Sequence, residues 1–435
     1  MLGLGASGTS ATRLLRQHGV RVYASDSSTN DDLAAAAEAL RADGAEVDLG
    51  RHDIARVLRA AAVIVSPGVP PDAPAVARAR AAGIELLAEV DLAAQVLRGT
   101  RWVGITGTNG KTTTTTLTAL VLTACGLRAE AVGNIGRPVS EVAFEDPAPE
   151  WLAVELSSFQ LHDAPHLELA IGVVTNLSPD HLDRYPSLDA YYADKALLFQ
   201  NAGPESCWIL NGDDDAVARL ARGVPGLHQH WSLLGPADAW YRRSDRMLML
   251  GDRPVLERSE FTLLGDHNVS NALAAVLVAA RAGGSAKAIA EGLRRAGPLP
   301  HRLEVVREVN GVLWINDSKA TNLGSTSVAV TALDRPFVLL LGGRHKGEPY
   351  SRLVPLLKGC RAVVAYGESR SIIERDLAGA VPVVGANSFA EVLDEAARLA
   401  RPGDAVLLSP ACSSYDMFKN YQERGSQFRA AVEAM

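Results

Sequence analysis

The chain has 435 residues, 47% hydrophobic and 21% charged, an ordinary globular balance with material for two to four domains at roughly 100–200 residues each. A formal net charge of −7 with no basic block argues against a nucleic-acid partner. The four cysteines, Cys125, Cys207, Cys360 and Cys412, form no CxxC pair, which argues against a disulfide or zinc framework and for a reducing cytoplasm. No apolar run approaches the ~18 residues of a membrane span, and the start carries no basic-then-apolar signal.

Residues 1–90 alternate short apolar strands with Ala-rich helices. VRVYASD (21–27) and AAVIVSPG (61–68) read as buried strands, and DDLAAAAEALRADG (31–44) and APAVARARAAG (73–83) as helices closed by glycine. Such alternation predicts a parallel sheet covered by helices. Ahead of it, Gly3-Leu-Gly5-Ala-Ser-Gly8 fits G-x-G-x-x-G, with Asp26 ending the next strand. Alone, that pairing favours a dinucleotide-binding oxidoreductase. Only Met1 and Leu2 precede Gly3, where a strand of ~5 residues is usual. A shortened first strand and a less stable first domain are therefore expected, or a start recorded too late.

Residues 91–297 open with RWVGITGTNGKTTTTTLTALVLTACG (101–126), a strand, a Gly-rich turn and a helix. Backbone N–H groups of such a turn close around phosphates. Lys111 can neutralise the terminal phosphates, and the Thr112 hydroxyl can reach Mg²⁺. The strict G-x-x-x-x-G-K-[ST] pattern wants glycine where Ile105 stands, so this is a variant loop. It implies a nucleoside triphosphate without choosing among motor, kinase and ligase. Strand-like WLAVELSS (151–158) ends at Glu155, a carboxylate suited to Mg²⁺. AIGVVTNL (170–177) runs into Asn176, Asp180, His181, Asp183 and Arg184, polar groups too dense for a core. His181 there is a candidate metal ligand or proton carrier. Lys195 lies in YYADKALLF, which alone reads as a helix with a surface lysine, and HNVSNALAAVLVAARAGG (267–284) reads as an apolar helix. GPLPHR (297–302) reads as a linker. Residues 298–435 form a third α/β unit, in which WINDSKATN, FVLLLGGRHKG, AVVAYG and AVLLSPACSS read as strands running into polar loops. Ligands in open α/β sheets bind at such strand ends.

Taken together, these motifs resemble the Mur ligase family. GITGTNGKTTT is similar to its ATP loop, and NLSPDHLDR and HNVSNALAA to its central-domain signatures. ELSSFQL, NDSKATN and SPACSSYDMFKNYQERG are similar to its D-glutamate-adding branch. The loop alone also fits folylpolyglutamate synthetases, and other branches of the family add alanine, a diamino acid or a dipeptide. No DNPR-like motif of the diamino-acid branch occurs.

The resemblance implies three mainly parallel α/β domains: a Rossmann-like UDP-binding domain, a P-loop-type ATPase domain and a Rossmann-like amino-acid-binding domain. It implies a monomer joining D-glutamate to UDP-N-acetylmuramoyl-L-alanine with ATP, through an acyl phosphate, with two Mg²⁺ ions. Gly107, Thr108, Asn109, Gly110, Lys111, Thr112, Thr113, Asn268, Asn271, Arg302 and Asp317 would contact ATP. Thr112 and Glu155 would hold one Mg²⁺, and His181 and a carbamoylated Lys195 the other. Lys111, His181 and Lys195 would be the catalytic groups. Ala6, Ser7, Asp26, Ser66, Gly68, Asn134, Ser157 and His181 would face the UDP-linked acceptor. Lys319, Thr321, Lys346, Ser414 and Tyr421 would surround the incoming amino acid, Tyr421 standing where many relatives carry phenylalanine. A non-catalytic nucleotide-binding regulator is the reading from another class, and the intact Lys111, Glu155, His181 and Lys195 weigh against it.

Overall fold

The computed structural model describes residues 1–181 and 184–435. Asp183 of the acidic run lies outside them. The described chain forms two compact units, Met1–Leu177 with Asp189–Glu260 and Ser270–Arg295, and Ser178–Leu188 with Phe261–Val269 and Ala296–Met435. Among the described residues no helix is long and apolar enough to cross a membrane.

The first unit holds two sheets. In one, β1 (Tyr23–Asp26) pairs with β2 (Glu46–Leu49), and β3 (Ala62–Val65) with β4 (Glu85–Ala88), all parallel. Leu2 bridges the two pairs, in parallel with both Ser25 and Val65. Its N–H donates to Ile64 O and its carbonyl accepts from Ser66 N, both at 2.9 Å. Alternate residues serve the two faces, as strand geometry requires: Ile64 joins one core with Met1 and Leu4, while Val63 and Val65 join another with Leu2.

The second sheet comprises β5 (Arg101–Thr106), β6 (Ala129–Gly133), β7 (Trp151–Glu155), β8 (Ile171–Val174), β9 (Cys207–Asn211), β10 (Leu227–Ser232), β11 (Ala239–Arg242), β12 (Met247–Leu250) and β13 (Arg253–Glu257). The spatial order is β13-β12-β11-β10-β9-β8-β5-β7-β6. β5 lies between β7 and β8, parallel to both; β10 and β11 are also parallel, while the β11–β12 and β12–β13 pairs are antiparallel. Each neighbouring strand thus delivers its following loop to the same edge as the phosphate loop.

In the second unit, β14 (Glu304–Val309), β15 (Val312–Asn316), β16 (Phe337–Gly342), β17 (Cys360–Tyr366), β18 (Val383–Gly385) and β19 (Ala405–Leu408) lie in the order β14-β15-β19-β16-β17-β18. Only the β14–β15 pair is antiparallel. The run FVLLLG is continuous because both faces are buried: Phe337, Leu339 and Leu341 enter one core, Val338 and Leu340 the other.

Candidate active site

The phosphate loop joins β5 to the helix Lys111–Ala124. Two of its glycines are required by space and conformation. Gly107 has φ 140°, and a Cβ there would stand 2.0 Å from Thr175 Oγ1. Gly110 has φ 81°, and its Cβ would stand 2.5 Å from Asn271 Oδ1. The helix begins its own bonding at Thr114 N–H to Gly110 C=O, so its N-terminus faces the loop and favours anions there.

Neighbouring strand ends hold the loop in shape. Thr108 N donates to Asn176 O and Asn109 N to Asn176 Oδ1, both at 2.9 Å, while Asn176 Nδ2 donates to Asn109 O at 2.8 Å. Thr175 Oγ1 donates to the same Asn109 carbonyl at 2.7 Å. Lys111 Nζ folds back to Gly107 O (2.9 Å) and Thr108 O (2.8 Å). Lys195 Nζ also donates to Gly107 O, at 2.8 Å. Lys195 is 1% exposed, beside the Tyr191 ring. The surface position that its local pattern suggests is therefore corrected: the helix Leu188–Ala196 turns this face inward. Asn271 Oδ1 accepts from Thr114 Oγ1 at 3.2 Å, and Thr113 is buried behind the loop.

At the end of β7, buried Glu155 accepts from Thr112 Oγ1 at 2.7 Å through one oxygen and from Asn134 Nδ2 at 3.1 Å through the other. A hydroxyl and a carboxylate side by side at a phosphate loop form a hard oxygen donor set suited to Mg²⁺. Among the described residues no group of three or more His, Cys, Asp and Glu is placed to hold a metal ion.

Ala6, Ser7, Ser66, Gly68 and Asn134 all line one cavity of about 240 Å³. Next to it, Asp26 lines a larger cavity of about 790 Å³ with Leu4, Arg137 and Phe144. Asp26 accepts from Leu4 N through Oδ2 (2.8 Å) and from Ser28 N through Oδ1 (2.9 Å), tying the glycine loop to the end of β1. Ser157 caps the helix Ser158–His162 in a reciprocal box with Gln160.

The remaining candidates lie in the second unit. His181 has a left-handed φ of 55°, and its N–H donates to Asp180 Oδ1 at 2.9 Å. Asp180 accepts from Asn322 Nδ2 at 2.9 Å and lies 3.8 Å from Lys346 Nζ. Burial pushes this carboxyl up, but the Lys346 ammonium, His181 and the two donors outweigh it and hold Asp180 below the usual range. Asn268 Nδ2 donates to Leu264 O at 2.7 Å.

Asp317, at the end of β15, accepts from Leu303 N (3.2 Å) and Ser409 Oγ (2.8 Å). Burial raises its pKa to about 7, against the pull of those donors and of the Arg302 and Arg424 charges. His301 and Leu303, flanking Arg302, have φ of 64° and 42°, a strained backbone held by Lys319 N donating to His301 O at 3.0 Å. Lys319 Nζ lies 3.9 Å from the centre of the Tyr421 ring, Thr321 N donates to Lys319 O at 2.9 Å, and Ser414 is buried.

Sequence reasoning passed over Arg424. It is fully buried. Its Nε and Nη2 donate to Ser318 Oγ and O at 2.9 and 2.8 Å, and Nη1 and Nη2 reach Cys412 O at 3.3 Å. One guanidinium thus ties together the loops carrying Asp317 and Lys319, Ser414, and the helix opening at Tyr421. The available signal was its place one turn after Tyr421 in KNYQERG.

Three family descriptions match in chain order: a MurD-like N-terminal domain over residues 1–88, a Mur ligase middle domain over 105–279, and a Mur ligase glutamate ligase domain over 301–412. The chain belongs to the Mur ligase family. Among its relatives, the UDP-N-acetylmuramoylalanine–D-glutamate ligase of Myxococcus xanthus is 41% identical over 446 aligned residues, covering 100% of this chain and 98% of that protein. The enzymes of the same name from Acidobacterium capsulatum and Anaeromyxobacter dehalogenans are 38% and 40% identical, over 100% and 99% of this chain and 95% and 96% of theirs. In fold, the chain is similar to the UDP-N-acetylmuramate–alanine ligase of Thermotoga maritima (TM-score 0.63, 18% identity, 100% and 98% covered). It is likewise similar to a pseudomurein peptide ligase of Methanothermus fervidus (TM-score 0.64, 19% identity, 100% and 98% covered).

Proposed function

We infer that this chain joins D-glutamate to UDP-N-acetylmuramoyl-L-alanine at the expense of ATP, a step of peptidoglycan precursor synthesis. The observation that carries the reading is full-length identity to enzymes of that name, with a lysine-bearing phosphate loop set beside the Thr112–Glu155 oxygen pair.

Three domains share the work: residues 1–90 hold the UDP moiety, 91–297 the ATP, and 298–435 the amino acid. The acceptor carboxylate attacks the γ-phosphorus, giving an acyl phosphate and ADP. The amine of D-glutamate then attacks the carbonyl carbon. The tetrahedral intermediate collapses, phosphate leaves, and the nitrogen sheds a proton as the amide forms. Such a reaction is governed by positioning and by neutralisation of phosphoryl charge. Lys111 moves from the loop carbonyls onto the terminal phosphates, and Gly107 to Thr113 wrap them. Asn268, Asn271, Arg302 and Asp317 hold the rest of the nucleotide. Ala6, Ser7, Asp26, Ser66, Gly68, Asn134, Ser157 and His181 seat the acceptor. Lys346 takes the side-chain carboxylate of the amino acid, with Lys319, Thr321, Ser414 and Tyr421 around it.

By the family resemblance, Thr112 and Glu155 would hold one Mg²⁺, and His181 and a carbamoylated Lys195 would be ligands of a second. When bound, these ions screen the charge between carboxylate and triphosphate. Carbamoylation turns Lys195 from a cation into an anionic oxygen ligand, which accounts for a buried lysine at this place. A monomer is the expected state, and substrates linked to ATP and UDP favour a cytoplasmic location.

The test is incubation with ATP, Mg²⁺ and UDP-N-acetylmuramoyl-L-alanine, adding each amino acid separately. Phosphate release with D-glutamate alone is expected. Release with L-glutamate but not D-glutamate overturns the stereochemistry, and the absence of release with every amino acid tried overturns ligase function.

A further inference from the structure

Glu89 opens the helix Glu89–Val96 directly after β4. It is 1% exposed, a rare position for a carboxyl group. Its Oε1 accepts the backbone N–H of Ser140, in the first turn of the helix Val139–Val142. Among the described residues its Oε2 has no hydrogen-bond partner, and neither does the buried Ser140 Oγ. The two helices also share apolar packing, Val90 and Ala93 lying in one core with Val139 and Val142. Glu89 is thus the polar pin of this junction.

The pinned segment has a specific position. Ser140 follows the turn 133–138, closed by Gly133 N donating to Arg137 O at 3.1 Å. That turn presents Asn134 to the cavity of about 240 Å³, which Ser7, Ser66 and Gly68 also line. Asn134 is fixed to Glu155 by backbone and side chain, at 2.9 and 3.1 Å. The cavity lining therefore includes both the segment that precedes β4 and Glu89 and the turn that precedes Ser140.

We propose that Glu89 is a positioning residue for the acceptor: by holding Ser140 it keeps the Asn134 turn at a fixed separation from Ser66 and Gly68. The proposal rests on the reading of that cavity as part of the acceptor site. Burial raises the Glu89 carboxyl above its usual range. The carboxyl oxygen Oε1 accepts from Ser140 N whether or not Oε2 carries a proton. Glutamine keeps that bond, since its carbonyl accepts from Ser140 N. Alanine and leucine lose it, and leucine does so without leaving a cavity.

The experiment is steady-state kinetics of the full chain and of Glu89→Ala, Glu89→Leu and Glu89→Gln, varying acceptor, ATP and D-glutamate in turn. In Glu89→Ala, or in Glu89→Leu if the first is not recovered folded, KM for the acceptor is expected to rise about tenfold. KM for ATP and D-glutamate, and kcat, should stay within about twofold, and Glu89→Gln should restore the acceptor KM. A uniform loss across all three substrates, an unchanged acceptor KM, or a Glu89→Gln variant as impaired as Glu89→Ala overturns the proposal. Inactivity of the unaltered chain with D-glutamate would instead overturn the functional reading beneath it.

Discussion

Lys111 and Lys195 donate to one acceptor, the Gly107 carbonyl, at 2.9 and 2.8 Å. Phosphate oxygens accept from an ammonium more strongly than an amide carbonyl does, so the Lys111 side chain is placed to leave Gly107 O for a triphosphate. Lys111→Met is expected to lower kcat by roughly 10²–10³ or more, the scale of losing a charge-stabilising donor. The melting temperature should change little, because the loop keeps its bonds from Asn176 and Thr175. Retained activity in a folded Lys111→Met variant would refute the role of the phosphate loop.

Lys195 should behave differently. As a carbamate it needs dissolved carbon dioxide, so activity is expected to fall in bicarbonate-depleted buffer and to return on addition. Enriched ¹³C-bicarbonate should give a carbamate carbon resonance in the unaltered protein and none in Lys195→Met. Activity indifferent to bicarbonate, with no such resonance, would leave Lys195 an ammonium group.

Lys195 also marks where the sequence stops being readable. YYADKALLF reads as an amphipathic helix with its lysine outward, and the burial of that lysine comes from the distant phosphate loop, whose Gly107 O accepts from its Nζ. The phosphate loop was legible because its function is local: glycines, lysine and hydroxyl occupy consecutive positions at a strand end. The same holds for FVLLLG and AVLL, whose unbroken apolar runs require burial on both faces. Arg424 and Glu89 were not legible. A buried charged side chain looks locally like a surface one, and its partners, Cys412 and Ser140, lie at distances along the chain that only the fold closes. Asn176 was visible as part of a polar cluster, but its three bonds to the phosphate loop depend on β8 lying beside β5.

Asp317 makes stability depend on pH in the direction opposite to a salt-bridged carboxylate. Its pKa is about 7 in the folded chain, raised by burial from an ordinary value of 3.8. The folded form keeps a proton that the unfolded chain sheds across that interval. Its contribution is therefore most favourable below pH ~4, declines as pH rises toward 7, and is level above. At about 1.4 kcal/mol per unit, the decline is on the order of a few kcal/mol. Asn at 317 can accept from Leu303 N and donate to Ser409 Oγ without ionising. Urea unfolding at pH 5 and pH 8 should show Asp317→Asn gaining more on the parent at the higher pH, while ATP binding weakens. An equal difference at both pH values would show that Asp317 keeps an ordinary pKa.

Arg424 should be the costliest single residue of the second unit. Arg424→Met removes the donors to Ser318 and Cys412 and leaves buried carbonyls unpaired, at about 1–3 kcal/mol for each group left unsatisfied. A fall in melting temperature is expected, with loss of D-glutamate binding ahead of ATP binding. Arg424→Lys keeps the charge but not the planar fork, and should recover only part of the stability. A full recovery by lysine would show that the charge alone matters there.

Glu155 and Thr112 separate a metal role from a structural one. Thr112→Val removes an oxygen donor while keeping the shape of the side chain. Glu155→Gln keeps an acceptor for Thr112 and removes the negative charge. Both changes sit at the mouth of a sheet whose core they do not enter, so folding is expected to persist. Glu155 also accepts from Asn134 Nδ2, and the amide nitrogen of glutamine faces that donor or Thr112 whichever way it turns, so this variant should lose slightly more stability. If the pair holds Mg²⁺, activity in each variant should need a higher Mg²⁺ concentration for half-saturation, with Glu155→Gln shifted further because a carboxylate binds a hard cation more strongly than a hydroxyl. Manganese, which takes the same oxygen ligands with higher intrinsic affinity, should recover part of the loss in Thr112→Val. A fall in kcat with no change in Mg²⁺ dependence would assign the pair to shaping the loop.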